Sequence, residues 1–317
     1  MGHFLLTRLV SAAIVVFGVT SLVFFMIHFI PGDPVEVMLG ESARMADRES
    51  LRQALGLDRP VLVQWFDYLY HAAQFDFGAS LHSKEPVAGI LLARLPATLE
   101  LTILALVFAL VISLPLGILA ALHKNTGWDR TAMTVSLLGV SIPNFLMGPL
   151  LILLFSMYLG WLPVSGRDAP ESVILPALTL GTAMAAILSR MVRATLLEVI
   201  HEDYIRTARA KGLSGFKVIM LHAMPNTLLP IITLLGLQLG ALLAGAVITE
   251  VVFAWPGIGQ LTIDAIHKRD YPLVQACVLL ISLSYVLVNL ATDILYSVLD
   301  PRIRLGQQPL LVKAHEG

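Results

Sequence analysis

The sequence predicts an all-α protein that crosses a lipid bilayer about six times, with both termini on the inner side. Composition is the first reason: 57% of the 317 residues are hydrophobic and 14% are charged, whereas about a quarter of residues in soluble domains are charged. The second reason is that six stretches of 18 to 36 residues contain no Asp, Glu, Lys or Arg, and a spanning helix needs about 20 such residues. These stretches are Leu9–Gly32, Leu101–His123, Thr131–Gly166, Ser172–Ser189, Val218–Thr249 and Tyr271–Thr292.

The first stretch is predicted to be a membrane span and not a cleaved signal peptide. Its apolar run exceeds the roughly 7–15 residues of a signal-peptide core, and the following Pro31-Gly32-Asp33-Pro34 has no small-x-small cleavage pattern. The outer segment after it predicts two short amphipathic helices between Asp47 and Gln74, separated by Gly56 and Pro60. These helices either lie on the membrane surface or cap the bundle of spans.

The orientation follows from lysine and arginine, which resist translocation across the membrane. With the N-terminus inside, 12 of the 21 basic residues fall on the inner face and three fall on short outer loops. The inner residues are Arg8, Lys124, Arg130, six residues in Arg190–Lys217 and three in the tail Arg302–Lys313. The chain is therefore predicted to have both termini inside.

The inner segment between spans four and five carries the functional signal. Glu202 and Asp203 are placed to favour a helix N-terminus, and Gly212 is placed to end that helix. A second helix is predicted from Ser214 into span five. On composition alone, a charged inner segment of this kind is usually just a solvated loop anchored by basic residues.

The spacing of particular residues in this segment is a second signal, independent of its composition. Ala208-x3-Gly212, followed by Met224-Pro225, resembles the "EAA" loop of binding-protein-dependent ABC importer permeases. The string from Glu202 to Leu213 resembles the peptide/nickel subfamily, which also has Arg206-Thr207 where the general pattern has Glu-Ala. Seven further motifs, in this order, resemble the B-type permease subunits of that subfamily. They are Ile30-Pro31-Gly32-Asp33-Pro34, Leu55-Gly56-Leu57-Asp58-Arg59-Pro60, Asp76-Phe77-Gly78-Ala79-Ser80, Pro96-Ala97-Thr98-Leu99-Glu100-Leu101, Phe253-Ala254-Trp255-Pro256-Gly257-Ile258-Gly259, Arg269-Asp270-Tyr271-Pro272 and Asp300-Pro301-Arg302-Ile303-Arg304.

The resemblance implies the type I ABC importer permease fold in a multi-pass protein of the bacterial inner membrane. It also implies the partners: a second homologous permease, two cytoplasmic ATPase subunits and an extracytoplasmic solute-binding protein, with no nucleic acid. The sequence has no Gly-x4-Gly-Lys-Ser/Thr phosphate loop, so ATP and Mg are expected on the ATPase subunits, with no cofactor and no catalytic residue in this chain. The residues that the resemblance assigns to ATPase coupling are Glu202, Asp203, Tyr204, Arg206, Thr207, Ala208, Arg209, Ala210, Lys211 and Gly212.

The resemblance divides the chain into three parts. Residues 1–95 hold the first span and the outer amphipathic segment. Residues 96–305 form the permease core, with the coupling loop at 194–225, and residues 306–317 form a cytoplasmic tail.

Three places are candidates for the translocation path or a gate, each with a simpler structural alternative. Pro143-Asn144 lies midway along span three, where proline frees a carbonyl, although a packing kink has the same signature. Trp255-Pro256-Gly257 lies in an outer segment that is too polar to cross, where Trp255 could also be an interfacial anchor. Asp293 in span six lines the path or pairs across helices. Gly236-x3-Gly240 in span five predicts a close helix contact.

The substrate is predicted from the loop motif to be a di- or oligopeptide, with nickel as the alternative. Gly139–Phe145 resembles nickel permeases, but the nine histidines are scattered and Cys277 is the single cysteine, so no metal site is predicted in this chain. The alternatives from other classes are a secondary transporter driven by an ion gradient and a membrane-embedded enzyme. The former needs paired charges inside several spans, and spans two to five contain almost none.

Overall fold

The computed structural model describes residues 2–29, 34–39, 44–54 and 56–299. Within these ranges the regular secondary structure is helical, and the one β-type contact is an isolated bridge between Ala79 and Pro86. The tail 306–317, Leu55 and the motifs at 30–33 and 300–304 lie outside the described residues. The helices are α1 Gly2–Phe29, α2 Pro34–Leu39, α3 Met45–Ala54, α4 Val61–Ala73, α5 Val87–Leu122, α6 Gly127–Ser141, α7 Asn144–Leu151, α8 Ile174–Val199, α9 Asp203–Ala210, α10 Gly215–Lys217, α11 Met224–Val252, α12 Ile258–His267 and α13 Tyr271–Leu299.

Up to six of these segments are long and apolar enough to cross a bilayer, which confirms the predicted number. Five are single segments: Arg8–His28, Val87–Leu122, Pro170–Val199, Gly215–Gly240 and Tyr271–Leu295. The sixth is a pair, in which α6 meets α7 and its π-helical continuation at an angle of 105°. The all-α, multi-pass fold class is therefore confirmed.

Span two begins earlier than the charge-free stretch indicates. The predicted start was Leu101, but α5 begins at Val87 and includes Arg94 and Glu100. At 1.5 Å per residue its 36 residues extend about 54 Å, well beyond a hydrocarbon core of about 30 Å. The charged residues belong to the outer end of this long helix, and the division proposed at residues 95 and 96 falls inside it.

Helix α8 lies at the centre of the bundle. In the most apolar part of its span 72% is buried inside the protein, whereas the corresponding parts of the other four single spans are 17–33% buried. Small residues let α5 approach it: a Cβ on Gly181 would lie 2.9 Å from the carbonyl oxygen of Ala105, and a Cβ on Gly117 would lie 2.6 Å from the Cβ of Val192. The inner end of this central helix leads directly to α9.

The remaining helices pack around this centre through small residues and aromatic rings. The predicted close contact at Gly236 and Gly240 is confirmed, because a Cβ there would meet Thr292 and Tyr285 of α13. The predicted outer amphipathic helices are α3 and α4. Helix α4 packs against α1, where the indole nitrogen of Trp65 donates a hydrogen bond of 3.1 Å to Ser21.

Candidate coupling helix and outer cluster

Helix α9 presents one apolar face to the protein and a polar face to the surroundings. Ile205 is fully buried and Ala208 is nearly so, whereas the other residues of Asp203–Ala210 are exposed. The buried pair packs into a hydrophobic cluster built from the inner ends of α5 and α8, the π-helical segment Val218–Ala223 and the first residue of α11. The cluster comprises Ala121, Leu196, Ile205, Ala208, Val218, Ile219, Ala223 and Met224. A force on α9 therefore acts on three spans at once.

The ends of α9 are those predicted from the sequence. Glu202 has the extended backbone of an N-cap residue, and Asp203 follows in the first turn, where a carboxylate interacts favourably with the helix dipole. Gly212 ends the helix with a φ of +76°, and its N–H donates to the carbonyl of Arg209 over 2.9 Å. A left-handed residue at this position is what glycine adopts without steric cost.

Tyr204 connects α9 to the first turn of α11. The amide nitrogen of Asn226 donates a 2.7 Å hydrogen bond to the Tyr204 hydroxyl. Together with the buried Ile205, this contact fixes α9 both along and around its axis. Asn226 is 22 residues away in sequence and was not predicted to contribute.

Five other residues of the predicted coupling set point away from this anchor. Arg206, Thr207, Arg209, Ala210 and Lys211 are all exposed. An ion pair of 3.5 Å joins Arg206 to Asp203, but the two side chains are 74% and 97% exposed, and such surface pairs contribute little to stability. Their charges are consequently available to a partner surface.

A second ion pair lies on the inner side, between α6 and α8. The Arg193 guanidinium donates to both carboxylate oxygens of Asp129, over 2.6 and 2.8 Å. The backbone N–H of Asn125 donates to the same carboxylate over 2.9 Å. The Asp129 side chain is 5% exposed and that of Arg193 is 25% exposed, so this pair is far better shielded from water than the pair on α9.

Span three is broken and not merely kinked at Pro143-Asn144. Ile142 and Pro143 both have extended backbones, α6 ends at Ser141 and α7 begins at Asn144. Proline cannot donate a backbone hydrogen bond, and it disfavours helical geometry in the residue before it. The alternative of a packing kink within one helix is therefore corrected to two helices at 105°, with Asn144 half-buried at their junction.

The outer segment after α11 is held against α5 by Trp255. The indole is 1% exposed, and its nitrogen donates a 2.8 Å hydrogen bond to the carbonyl of Ala97. The alternative of an interfacial anchor is wrong, because the ring is buried inside the protein. In this conformation the Trp255 ring is packed between α5 and the outer segment.

Glu250 is the centre of the same contact. Its fully buried carboxylate accepts hydrogen bonds from the Thr98 hydroxyl over 2.8 Å and from the Gln260 N–H over 3.0 Å. Thr98 in turn accepts from the N–H of Ile258 over 2.8 Å. A Cβ on Gly257 would lie 2.2 Å from a Glu250 carboxylate oxygen, so any side chain there must displace the Glu250 carboxylate. Ala97, Thr98, Glu250, Trp255 and Gly257 are called the outer cluster below.

Arg167 covers the outer cluster from the surface. Its guanidinium pairs with the Glu100 carboxylate at 2.5 Å, and its central carbon lies 5.6 Å from the centre of the Trp255 ring. Through these contacts Glu100 and Glu250 both hold the outer segment against α5. The motifs Pro96–Leu101 and Phe253–Gly259, far apart in sequence, are thus adjacent in space.

Asp293 pairs across helices, as one of its two interpretations requires. Its carboxylate lies 3.1 Å from the guanidinium of Arg8 on α1.

On the outer side, the buried Asp270 accepts hydrogen bonds from the Ser80 hydroxyl and from the N–H of Leu81. This contact joins two further motifs identified in the sequence. Among the described residues, no three His, Cys, Asp or Glu side chains form a group suited to a metal ion.

Family comparisons agree with this geometry. The "Binding-protein-dependent transport system inner membrane component" model matches residues 113–305, which is more than half of the chain. The model of the N-terminal part of such components matches residues 1–102. This chain belongs to the binding-protein-dependent transport permeases. The family is that of ABC importer permeases, and the chain falls in its peptide/nickel, B-type branch.

Curated relatives cover nearly all of the permease. It is 44% identical over 304 residues to the "Glutathione transport system permease protein GsiC" of Escherichia coli strain K12, covering 96% of this chain and 99% of that protein. The same values hold for GsiC of Shigella dysenteriae serotype 1.

Solved structures share the fold of the permease. An inward-facing MetNI methionine ABC transporter has a TM-score of 0.57 at 21% identity, covering 67% of this chain and 96% of that one. An amino acid ABC transporter crystallised with histidines has a TM-score of 0.50 at 18% identity, covering 68% and 94% of the respective chains. These likenesses confirm the predicted ABC importer permease fold.

The hydrogen bond from Trp255 gives a test of the outer cluster. We expect Trp255→Phe to lower the free energy of unfolding of the permease by about 1–3 kcal/mol, because the buried Ala97 carbonyl loses its indole donor while most of the packing remains. Thermal unfolding in detergent measures this loss. The matched control is Trp128→Phe, since Trp128 is 64% exposed. Equal unfolding temperatures for the two variants would contradict the assigned role of the indole.

Proposed function

We propose that this permease is one of two membrane subunits of an importer that carries small peptides across the bacterial inner membrane. Two cytoplasmic ATPase subunits, which bind ATP and Mg, drive it, and an extracytoplasmic solute-binding protein delivers the substrate. The permease itself binds no cofactor and performs no catalysis. One observation supports this proposal most directly: α9 is an inner-face helix with a buried apolar side and an exposed, charged opposite side.

The two faces of α9 have different tasks in this mechanism. The exposed side, with Arg206, Arg209 and Lys211, docks on an ATPase subunit through charge and shape. The buried side, with Ile205 and Ala208, transfers the movement of that subunit to α5, α8 and α11. Closure of the ATPase pair on ATP thereby switches the bundle between inward-open and outward-open states.

The outer cluster is the proposed gate at the opposite end. Trp255, Pro256 and Gly257 lie in the segment held on α5, and α11 connects this segment to the inner cluster around α9. Movement of the inner end of α11 therefore changes the forces on the packing contacts at its outer end. Opening toward the solute-binding protein then requires the contacts of Glu250 and Trp255 with α5 to rearrange.

The docking proposal is tested by photo-cross-linking from α9. Single cysteines at Arg206, Arg209 and Ala210, in a Cys277→Ala background, are labelled with a benzophenone maleimide in the complex purified with its ATPases. We expect illumination to join each of them to an ATPase subunit. The control is Tyr70→Cys on the outer side, where the native side chain is 66% exposed. Cross-links that are equally frequent from both faces, or absent from α9, would disprove the docking site.

The peptide substrate rests on the names of the relatives and on the loop motif. GsiC is named for glutathione transport, and glutathione is itself a small peptide. We expect the complete complex to accumulate a radiolabelled tripeptide in an ATP-dependent manner, with excess unlabelled di- and tripeptides reducing uptake at least fivefold. Excess nickel should leave uptake within twofold. Accumulation of radioactive nickel without accumulation of peptide would replace this substrate by the metal.

A further inference from the structure

Helices α6 and α8 are joined at three successive levels. At the inner end, Asp129 forms the two-hydrogen-bond ion pair with Arg193. About two turns further along α6 and one turn further along α8, the hydroxyls of Ser136 and Ser189 are 2.7 Å apart and share a hydrogen bond. Next, a Cβ on Gly139 would lie 3.1 Å from the Cβ of Ala186. These contacts run antiparallel along both helices and leave little room for one to slide on the other.

The break in span three ends this joined region abruptly. Beyond Ile142 and Pro143, α7 leaves α6 at 105° and packs both against α8 and against the outer end of α11. There, a Cβ on Gly148 would meet the side chains of Val252 and Phe253, at 3.2 and 3.1 Å. The two halves of span three therefore have different neighbours: α6 packs along the inner half of α8, whereas α7 also packs on the outer end of α11.

The joined pair is also connected to α9. Leu196, one turn after Arg193 on α8, is buried in the same cluster as Ile205 of α9. Helix α8 ends at Val199 and α9 begins at Asp203, so the connection is only three residues long. A displacement of α9 must move the end of α8 that carries Arg193.

We propose that α6 and α8 move as one rigid lever during transport, that the extended residues Ile142 and Pro143 are its hinge, and that Asp129 is the positioning residue that holds the lever together. This inference rests on the proposed function, because the lever transmits the movement of the ATPase subunits from α9. Apolar packing alone permits helices in a membrane to shift past one another. A carboxylate held by Arg193 and by the Asn125 N–H fixes both distance and direction.

Removing the charge of Asp129 is the first test. We expect the complex with Asp129→Asn to assemble and to hydrolyse ATP within twofold of the parent, while ATP-driven uptake falls at least tenfold. The matched control is Asp67→Asn, which makes the same chemical change in the exposed outer pair with Arg59 and should leave uptake within twofold. If Asp129→Asn imports normally, Asp129 has no positioning role.

An engineered disulfide separates positioning from a contribution to folding alone. Ser136→Cys with Ser189→Cys, in a Cys277→Ala background, places two sulfurs where the hydroxyls are now in hydrogen-bond contact. Oxidation should leave uptake by the Asp129 parent within twofold, because the lever does not flex internally. In the Asp129→Asn background, oxidation should restore at least half of the lost uptake, and a reductant should remove it again.

Two outcomes of this disulfide experiment would overturn the lever. A disulfide that stops uptake in the parent would show that α6 and α8 must slide, and this result does not depend on whether Asp129→Asn folds. A disulfide that forms but does not restore uptake in the Asn variant would remove the positioning role. Failure of the proposed function has a different signature, since the unmodified parent would then show no ATP-driven uptake.

Discussion

Replacing Gly212 with proline is expected to reduce ATP-driven uptake at least tenfold while the permease still inserts and folds. Gly212 has a φ of +76° and donates its N–H to the Arg209 carbonyl, whereas proline fixes φ near about −65° and has no N–H. Lys211 before it has a near-helical ψ of 4°, which a following proline disfavours. The turn must therefore rearrange, and α9 no longer presents its charged side in the same direction. Uptake and ATP hydrolysis by the purified complex measure the effect.

The chain offers a control three residues away. Gly215 is the first residue of α10, where proline is well tolerated, and Ser214 before it already has an extended backbone, with ψ at 148°. Gly215→Pro should leave uptake within twofold. Gly212→Ala should be intermediate, since a left-handed alanine costs roughly 1–2 kcal/mol. If Gly212→Pro and Gly215→Pro import equally well, the orientation of α9 is irrelevant to transport.

Adding one methyl group at Gly257 is expected to destabilise the outer cluster severely. The backbone of Gly257 is extended, so alanine meets no conformational strain there. Its Cβ would nevertheless lie 2.2 to 2.4 Å from three atoms of the buried Glu250 carboxyl group. Displacing this group breaks its hydrogen bonds with Thr98 and Gln260. Overpacking costs about 1–3 kcal/mol, and the buried group left unpaired costs a similar amount again.

Thermal unfolding in detergent and the yield of monodisperse protein measure this loss. The matched control is Gly89→Ala in α5, where an added Cβ would have no neighbour within 4 Å. Since alanine favours a helix more than glycine does, the control should be neutral or slightly stabilised. An unfolding temperature for Gly257→Ala equal to that of Gly89→Ala would contradict the packing described for Glu250.

Features that depend on neighbouring residues were predictable from the sequence. The start of α9 at Asp203, the left-handed Gly212 just after its end and the helix that follows Ser214 all follow from capping residues within a few positions. The number of spans follows from apolar length alone. The close packing at Gly236 and Gly240 was predictable because few other roles explain glycine in a spanning helix.

Features that depend on distant partners were not predictable. Asp129 and Arg193 are 64 residues apart, and Thr98 and Glu250 are 152 apart, so no periodicity connects them. The start of α5 was misplaced because counting charge-free residues assumes that a charge ends a span, and Glu100 is neutralised by Arg167 beyond the apolar region. Pro143 indicated that the helix of span three is interrupted, but the angle between its two halves depends on how α7 packs against α8 and α11.

The central claim is that energy enters the permease from an ATPase through α9. It is tested most directly by measuring peptide uptake into proteoliposomes that contain the permease pair with or without the ATPase subunits. The vesicles are supplied with the solute-binding protein and either ATP or a proton or sodium gradient. We predict that uptake requires both the ATPase subunits and ATP and is unaffected by collapsing the gradients. Accumulation driven by an ion gradient in vesicles without ATPase subunits would contradict the claim.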